Sequence, residues 1–294
     1  MTTASPHNLI AFQGEPGANS DIACRQMYPD MTPVPCPTFE DAFNAVDKGT
    51  TKLAMIPIEN TIAGRVADIH TLLPESDLHI VGEFFLPIHF QLMTLPGTGR
   101  DQISSVHSHI HALGQCRQFI RKNGWEPLVA GDTAGAAKLV AQKKDPTMAA
   151  LAPELAADMY GLDIIERDVE DHANNVTRFV ILSKDPSVPQ RASDVELMMT
   201  TFVFRVRNIP AALYKAMGGF ATNGVNMTKL ESYQLGGKFF ATQFYADIEG
   251  HPDDESVKLA FEEIGFFSDH FRVLGVYPAA EFRKGQKWDG ASKV

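Results

Sequence analysis

From Leu9 to about Ser183 the chain alternates short apolar runs with helically spaced ones. Leu9-Ile10-Ala11-Phe12 reads as a strand that stops at the polar run Gln13 to Ser20. Phe39, Ala42, Phe43 and Val46 recur at helical spacing, with Glu40 and Asp41 in the first turn, and predict an amphipathic helix. Leu53 to Ile58 is a buried strand running into Glu59-Asn60-Thr61, and a helix is predicted over about Ala63 to Leu73. Leu78 to Leu95 is long, apolar and extended. Ser105-Val106-His107 leads into a helix from about Ile110 to Lys122, and Leu128-Val129-Ala130 precedes a small-residue helix ending near Gln142. Met148 to Leu151, Glu154 to Tyr160 and Arg178 to Leu182 read as strand, helix and strand. This alternation predicts an α/β fold on open sheets with mainly parallel strands.

Around Lys184 to Asp194 the apolar period vanishes and two prolines sit in a polar cluster, which marks a linker. Beyond it the expected order is strand (Met198 to Val206), helix (Pro210 to Thr222), strand (Val225 to Tyr233), strand (Lys238 to Ile248), helix (Asp254 to Ile264) and strand (Phe271 to Val276). Gln234-Leu235-Gly236-Gly237 turns the middle pair into a hairpin, so the plan is the ferredoxin-like βαββαβ. Helices on one face of so small a sheet leave a face or an edge open, and pairing with a second copy is expected.

Composition narrows the function. The 294 residues suit about two domains, and 36 acidic against 26 basic residues give a formal net charge of −10. A nucleic-acid or membrane-surface partner needs a basic face, so neither is expected. Cys24, Cys36 and Cys116 lack paired spacing, which fits a reducing compartment. Met1 to Asn8 lacks the pattern of a signal peptide, and no apolar run approaches the roughly 18 residues of a membrane helix. A cytoplasmic protein is expected.

An acidic chain that binds an anion must assemble its positive field locally. Four times a predicted strand stops at a small polar cluster expected to open a helix: Gly14 to Ser20, Glu59 to Gly64, His107 to Ala112 and Gly131 to Ala137. Ligands of open α/β sheets bind at the carboxyl ends of strands, where helix N-termini offer unpaired N–H groups to carboxylates; the plainer reading of each cluster is an N-cap. Ser108, read as an N-cap, and Gln115 are seven residues apart and share a helix face. Asn174-Asn175-Val176-Thr177-Arg178-Phe179 sets two amides, a hydroxyl and a guanidinium at the start of an apolar strand, which suits a carboxylate-bearing substrate that loses or gains water. Gly14 and Gly17 lack the rest of a dinucleotide fingerprint. His107, His109 and His111 read as loop and helix-end residues, not metal ligands, and Glu166 to Asp171 reads as solvated surface. Ser-His-Asp order and paired carboxylates are both missing from these loops, which argues against hydrolysis by those routes.

With these residues in view the chain resembles prephenate dehydratase, in the monofunctional form with a C-terminal ACT regulatory domain. The resemblance runs from Ile10 to about Tyr277 and rests on Phe12 to Ala18, Pro57 to Thr61, His107 to His109, Asp132 to Ala137 and Thr177-Arg178-Phe179. It implies a catalytic domain over 8–184, two-lobed like type 2 periplasmic binding proteins, with lobes at about 9–81 plus 178–183 and at 86–175. A linker over 185–196 and an ACT domain over 197–278 follow. It further implies decarboxylative dehydration of prephenate to phenylpyruvate without metal or cofactor, in a cytoplasmic homo-oligomer that pairs through the ACT domain up to a tetramer. The implied catalytic residues are Thr177, Asn60, Ser108 and Gln115, with Thr61, Thr133, Arg178 and Asn175 as substrate contacts. L-phenylalanine is the implied inhibitor, at Asn208, Ala211, Ala212, Leu213, Asn226, Glu231 and Ser232. Two of its motifs are altered: alanine stands for the family's glycine at Ala211, and Tyr233-Gln234 replaces Arg-Pro after Glu231-Ser232. Arogenate as substrate, or a non-catalytic role in binding aromatic acids, stays open at this stage.

Overall fold

The computed structural model describes residues 6–190, 197–207, 209–234 and 242–285. In chain order the elements are β1 (Leu9–Gln13), α1 (Asn19–Met27), β2 (Thr32–Cys36), α2 (Phe39–Asp47), β3 (Leu53–Asn60), β4 (Gly64–Arg65), α3 (Ala67–Glu75), β5 (His79–Pro87) and β6 (Gln91–Thr94). Next come β7 (Ser105–Ser108), α4 (Ile110–Gln115), α5 (Arg117–Asn123), β8 (Glu126–Val129), α6 (Thr133–Lys143), β9 (Met148–Ala152), α7 (Glu154–Tyr160), β10 (Asp163–Glu166) and β11 (Val176–Ser183). The rest are β12 (Met198–Val206), α8 (Ala212–Thr222), β13 (Met227–Gln234), β14 (Thr242–Glu249), α9 (Glu255–Phe267), β15 (Ser268–Pro278) and α10 (Glu281–Lys284). The described residues form two compact units that divide at Val66/Ala67, Glu83/Phe84 and Phe179/Val180: the first holds the residues up to Val66 with Phe84–Phe179, the second Ala67–Glu83 with those from Val180 on.

The first unit holds two sheets, one for each lobe. In one, β1 lies between β2 and β3 and runs parallel to both, with β11 beside β3. Strand β2 carries Pro33 and Pro35 and escapes the sequence pattern; as the last strand of the sheet it needs no N–H on its outer side. The other sheet has the order β10-β6-β9-β7-β8 and is mixed: β7 runs parallel to β8 and β9, whereas β6 opposes β9 and β10. The expected small-residue helix is α6, and its Ala134, Ala136, Ala137 and Val140 pack a core with Ala150, Ala152 and Ala156. Gly17 joins the lobes. It has φ +89°, and a Cβ there would sit 2.9 Å from the Ala156 Cα, so only glycine allows this approach. Lys138 Nζ pairs with Glu15 at 2.8 Å, and Tyr160 Oη donates to the Pro16 carbonyl at 2.8 Å.

The second unit contains the expected βαββαβ order, with strands arranged β13-β14-β12-β15 and β5 added beside β15. Phe202, Phe204, Phe220 and Phe244 fill the core under α8 and α9. Strands β13 and β14 pair antiparallel up to Gln234 and Thr242, while Leu235, Gly236 and Gly237 lie outside the described residues. Of the face or edge that the sequence pattern expects to stay open, the face is covered by α3, while β13 is the last strand of the sheet. Tyr245, paired in register with Val203, meets the ring of His70 of α3 edge-on at 5.1 Å. The segment 67–83, expected in the first lobe, is bound here by several contacts. Arg272 Nη1 donates to the carbonyl of Ser76 at 2.7 Å, Arg283 Nε donates to Glu83 Oε1 at 2.6 Å, and Gly275 pairs with Ile80. A Cβ on Gly275 would come 2.1 Å from the Ile80 carbonyl oxygen, so β15 and β5 meet only because that residue is glycine. Among the described residues no helix is long and apolar enough to cross a membrane.

Candidate active site

The centre of the site is an amide whose orientation the backbone dictates. Strand β3 ends at Asn60 and the chain folds straight back into β4, with Asn60 opposite Gly64. The sequence pattern expects a helix start here; instead Asn60 Oδ1 closes the turn by accepting the N–H groups of Ile62 (2.9 Å) and Ala63 (2.8 Å). Only the oxygen of an amide accepts, so the Asn60 Nδ2 group must face the other way. It donates to Asn175 Oδ1 at 2.8 Å and to Thr177 Oγ1 at 3.0 Å, and lies 3.2 Å from the Val176 carbonyl. Asn175 is 2% exposed; since its oxygen meets Asn60, its Nδ2 donates to Gln115 Oε1 at 2.8 Å.

This chain of bonds has a fixed polarity. Gln115 accepts through its oxygen and keeps its Nε2–H2 group to donate. Thr177 accepts through its oxygen, and its own O–H has no acceptor among the described residues. Four expected site residues are thus joined across three segments, with hydrogen-bond donors left over at both ends.

Gln115 is held from behind as well. Asp171 N–H donates to the Gln115 carbonyl at 2.7 Å, and Asp171 Oδ2 accepts from the N–H of Gln118 at 3.0 Å, in the first turn of α5. The expected single helix from Ile110 to Lys122 is broken between the two at Cys116, whose φ and ψ are −112° and 22°. Burial, reinforced by Glu170 and Asp171, pushes the Cys116 thiol well above its ordinary pKa. The acidic run around Asp171 is therefore not free solvated surface. Glu166 pairs with Arg100, Arg167 with Glu154 at 2.8 Å, and the buried Glu170 carboxylate takes His89 Nδ1 at 2.8 Å and the Phe90 N–H at 3.0 Å. A run of charges looks the same in sequence whether or not partners meet it, so Asp171 was invisible there.

Other expected residues serve different ends. Ser108 closes β7 fully buried, with Oγ donating to the Leu151 carbonyl at 2.6 Å; the helix cap is His109, one residue on, which accepts from the His111 N–H at 3.4 Å. Thr61 gives its proton to the Asn174 carbonyl (2.8 Å) and accepts the Val176 N–H (2.9 Å), bracing the Asn60 turn against β11. Arg178 is 2% exposed and its Nη1 donates to Glu59 Oε1 at 3.0 Å, so a carboxylate of the chain already neutralises it. Thr133 opens α6 half-buried, and neither it nor Ser108 belongs to the amide chain.

The expected helix-start anion seats are also partly filled. Asp132 accepts the Gly135 N–H at 2.6 Å, and Asp21, paired to Arg25, accepts the Gly17 N–H at 2.9 Å. Burial, and then the carboxylates of Glu15, Asp132 and Asp21, push the Tyr160 phenol up to about 12, so it stays a donor. Burial lowers the pKa of His107, and burial together with His111 lowers that of His109.

In the second unit Ala211 caps α8 at φ +61°, a left-handed conformation that glycine adopts more readily. Ala212 is buried and Leu213 packs against the aromatic core. Asn226 donates to Glu249 at 2.9 Å; Glu231, 3.5 Å from Lys229 Nζ, and Ser232 lie on β13, at the end of the sheet; Asn208 lies outside the described residues.

Comparison with known proteins shows what the chain is similar to. Residues 10–187 match the family model described as Prephenate dehydratase. A bifunctional N-acyl-homoserine lactone acylase/prephenate dehydratase of Komagataeibacter europaeus is 49% identical, over 94% of this chain and 98% of its own length. The chloroplastic arogenate dehydratase/prephenate dehydratase 2 of Arabidopsis thaliana is 37% identical, over 92% and 72%. Among solved structures, the prephenate dehydratase of Arthrobacter aurescens in complex with L-Phe superposes with a TM-score of 0.84 at 29% identity, covering 92% of this chain and 89% of that one. A family match over more than half the sequence, and close relatives matched along nearly all of it, lead to one conclusion: the chain belongs to the prephenate dehydratase family.

Proposed function

We propose that this chain is a hydro-lyase that converts prephenate to phenylpyruvate, water and carbon dioxide, on the route to phenylalanine. The observation that carries this reading is the polarity of the amide chain, which leaves the Thr177 O–H and the Gln115 Nε2–H2 as donors within one neutral network. In the reaction the bond from the ring to its carboxylate breaks and carbon dioxide leaves. Its electron pair enters the ring, which becomes aromatic as the ring hydroxyl departs; with one proton taken up, that oxygen becomes water. A threonine hydroxyl is too weak an acid to supply the proton unaided. Its part is to hold a hydrogen bond on the departing oxygen, as Asn60 aims its lone pair elsewhere. Neutral amide donors suit a dianion that loses charge during the reaction, because they need not release a tightly held anion.

The roles of the remaining residues follow in the same reading. Gln115 binds a substrate oxygen, Arg178 and Glu59 lock β11 to β3 beneath Thr177 and Asn60, Thr61 braces the turn, and Ser108 and Thr133 shape the neighbouring loops. L-phenylalanine binds the second unit and inhibits, with copies pairing through that unit, and three buried free cysteines suit a cytoplasmic setting. The test is direct: purified protein with prephenate at neutral pH, followed by phenylpyruvate absorbance, with arogenate in a parallel arm. Turnover of prephenate above arogenate is expected; arogenate preference corrects the substrate, and binding without turnover of either overturns catalysis. Because the relative at 49% identity is also named an acylase, an N-acyl-homoserine lactone arm tests that second activity. Millimolar phenylalanine is expected to slow turnover and raise the melting temperature; an unchanged rate and melt overturn the regulatory part.

A further inference from the structure

The geometry points to Asn175 as a positioning residue that sets which end of the Gln115 amide faces the substrate, and that does not touch substrate itself. This rests on the reading of the site given above and replaces the substrate contact expected of Asn175. At 2% exposure, with Oδ1 turned to Asn60 (2.8 Å) and Nδ2 turned to Gln115 (2.8 Å), Asn175 lacks the access to meet a ligand. Its main chain is anchored too, the Ile88 N–H donating to its carbonyl at 2.8 Å.

A glutamine amide is nearly symmetric in shape, and rotation by half a turn exchanges a donor for an acceptor. Nothing in the Gln115 side chain selects one state; the choice is made by the partner of its oxygen. The preference is relayed from the two backbone N–H groups of Ile62 and Ala63, through the oxygen of Asn60 and the amide of Asn175, to the nitrogen of Gln115. A rigid turn 55 residues earlier in sequence than Gln115 thereby dictates that a donor, not an acceptor, faces an anionic substrate, the difference between 115 and 60. Buried amides preset in this way need no reorganisation during the reaction.

The test uses Asn175→Asp, which keeps size and shape. Ionised Asp still accepts from Asn60 but turns a second acceptor on Gln115, so Gln115 must flip and present its oxygen. Protonated Asp carries an O–H that replaces the lost donor and restores the native orientation. We expect kcat/KM for prephenate, with the enzyme-free rate subtracted, to fall about 10²-fold in the alkaline range. It should recover toward acid along a limb that wild type lacks. The charged and titratable neighbours, Asp171 and His172 on the same segment, Glu59 on β3, Arg178 on β11 and Cys116 beside Gln115, are unchanged, so a new limb belongs to residue 175. A profile parallel to wild type, or a loss equal at every pH, overturns the proposal.

Should that variant not fold, Gln115→Glu carries the question. It keeps the bond from Asn175 and presents an outward oxygen that donates only when protonated, so the same acid recovery is expected, and its absence overturns the proposal. Wild-type protein inactive on prephenate and arogenate defeats the functional reading instead, a result distinct from either.

Discussion

Each unit carries a buried polar network, and the two are finished differently. In the second unit Tyr277 Oη lies 2.7 Å from Thr201 Oγ1, which donates to Asp247 Oδ1 at 2.6 Å, and all three residues are fully buried. Since Thr201 has one proton and spends it on Asp247, Tyr277 donates to Thr201, and these bonds tie β12, β14 and β15 together. In the first unit the chain from Asn60 through Asn175 ends at Thr177, half-buried, and at Gln115, with donors to spare at each end. A network whose members are all fully buried adds rigidity and a unique packing. One with an open end keeps aimed hydrogen-bonding capacity, which is what a binding site requires.

That contrast can be broken by substitution. Removing the open end should cost activity and little stability: Thr177→Ala is expected to lower kcat about 10²–10⁴-fold, by stopped or continuous assay of phenylpyruvate, with the melting temperature near that of wild type. A variant within about threefold of wild type would remove Thr177 from the chemistry. Cutting the fully buried network should do the reverse. Thr201→Val is expected to lower the unfolding free energy by about 1–3 kcal/mol in urea titration while kcat stays close to wild type; a large loss of kcat at unchanged stability would erase the distinction.

A smaller effect sharpens the comparison inside the second unit. Ala211 sits at φ +61°, so Ala211→Gly should relieve strain and raise stability by about 0.5–1 kcal/mol. The smallest concerns the first unit. Burial lowers the pKa of His107, so its folded form prefers the neutral ring. The folded state then binds fewer protons than the unfolded one, whose histidine titrates at about 6.5. Its contribution to stability is present above that pH and is lost as pH falls below it through the folded-state pKa. A denaturant midpoint that declines on acidification, with a shallower slope in His107→Gln, is the expected signature.

The sequence carries the alternation of strands and helices, the βαββαβ plan and, by motif resemblance, the grouping of Asn60, Gln115 and Thr177, which one chain of hydrogen bonds joins. These depend on local periodicity and residue type, which are written along the chain. Boundaries fared less well, because a one-residue difference separates Ser108 from the true cap at His109, and two prolines disguise β2 at its sheet edge. The polarity of the amide chain, the neutralisation of Arg178 by Glu59, the brace at Asp171 and the cover of α3 over the second sheet were decided in three dimensions alone. Each depends on which group faces which across segments far apart in sequence. An amide, a guanidinium or a carboxylate has no direction until its partner is in place.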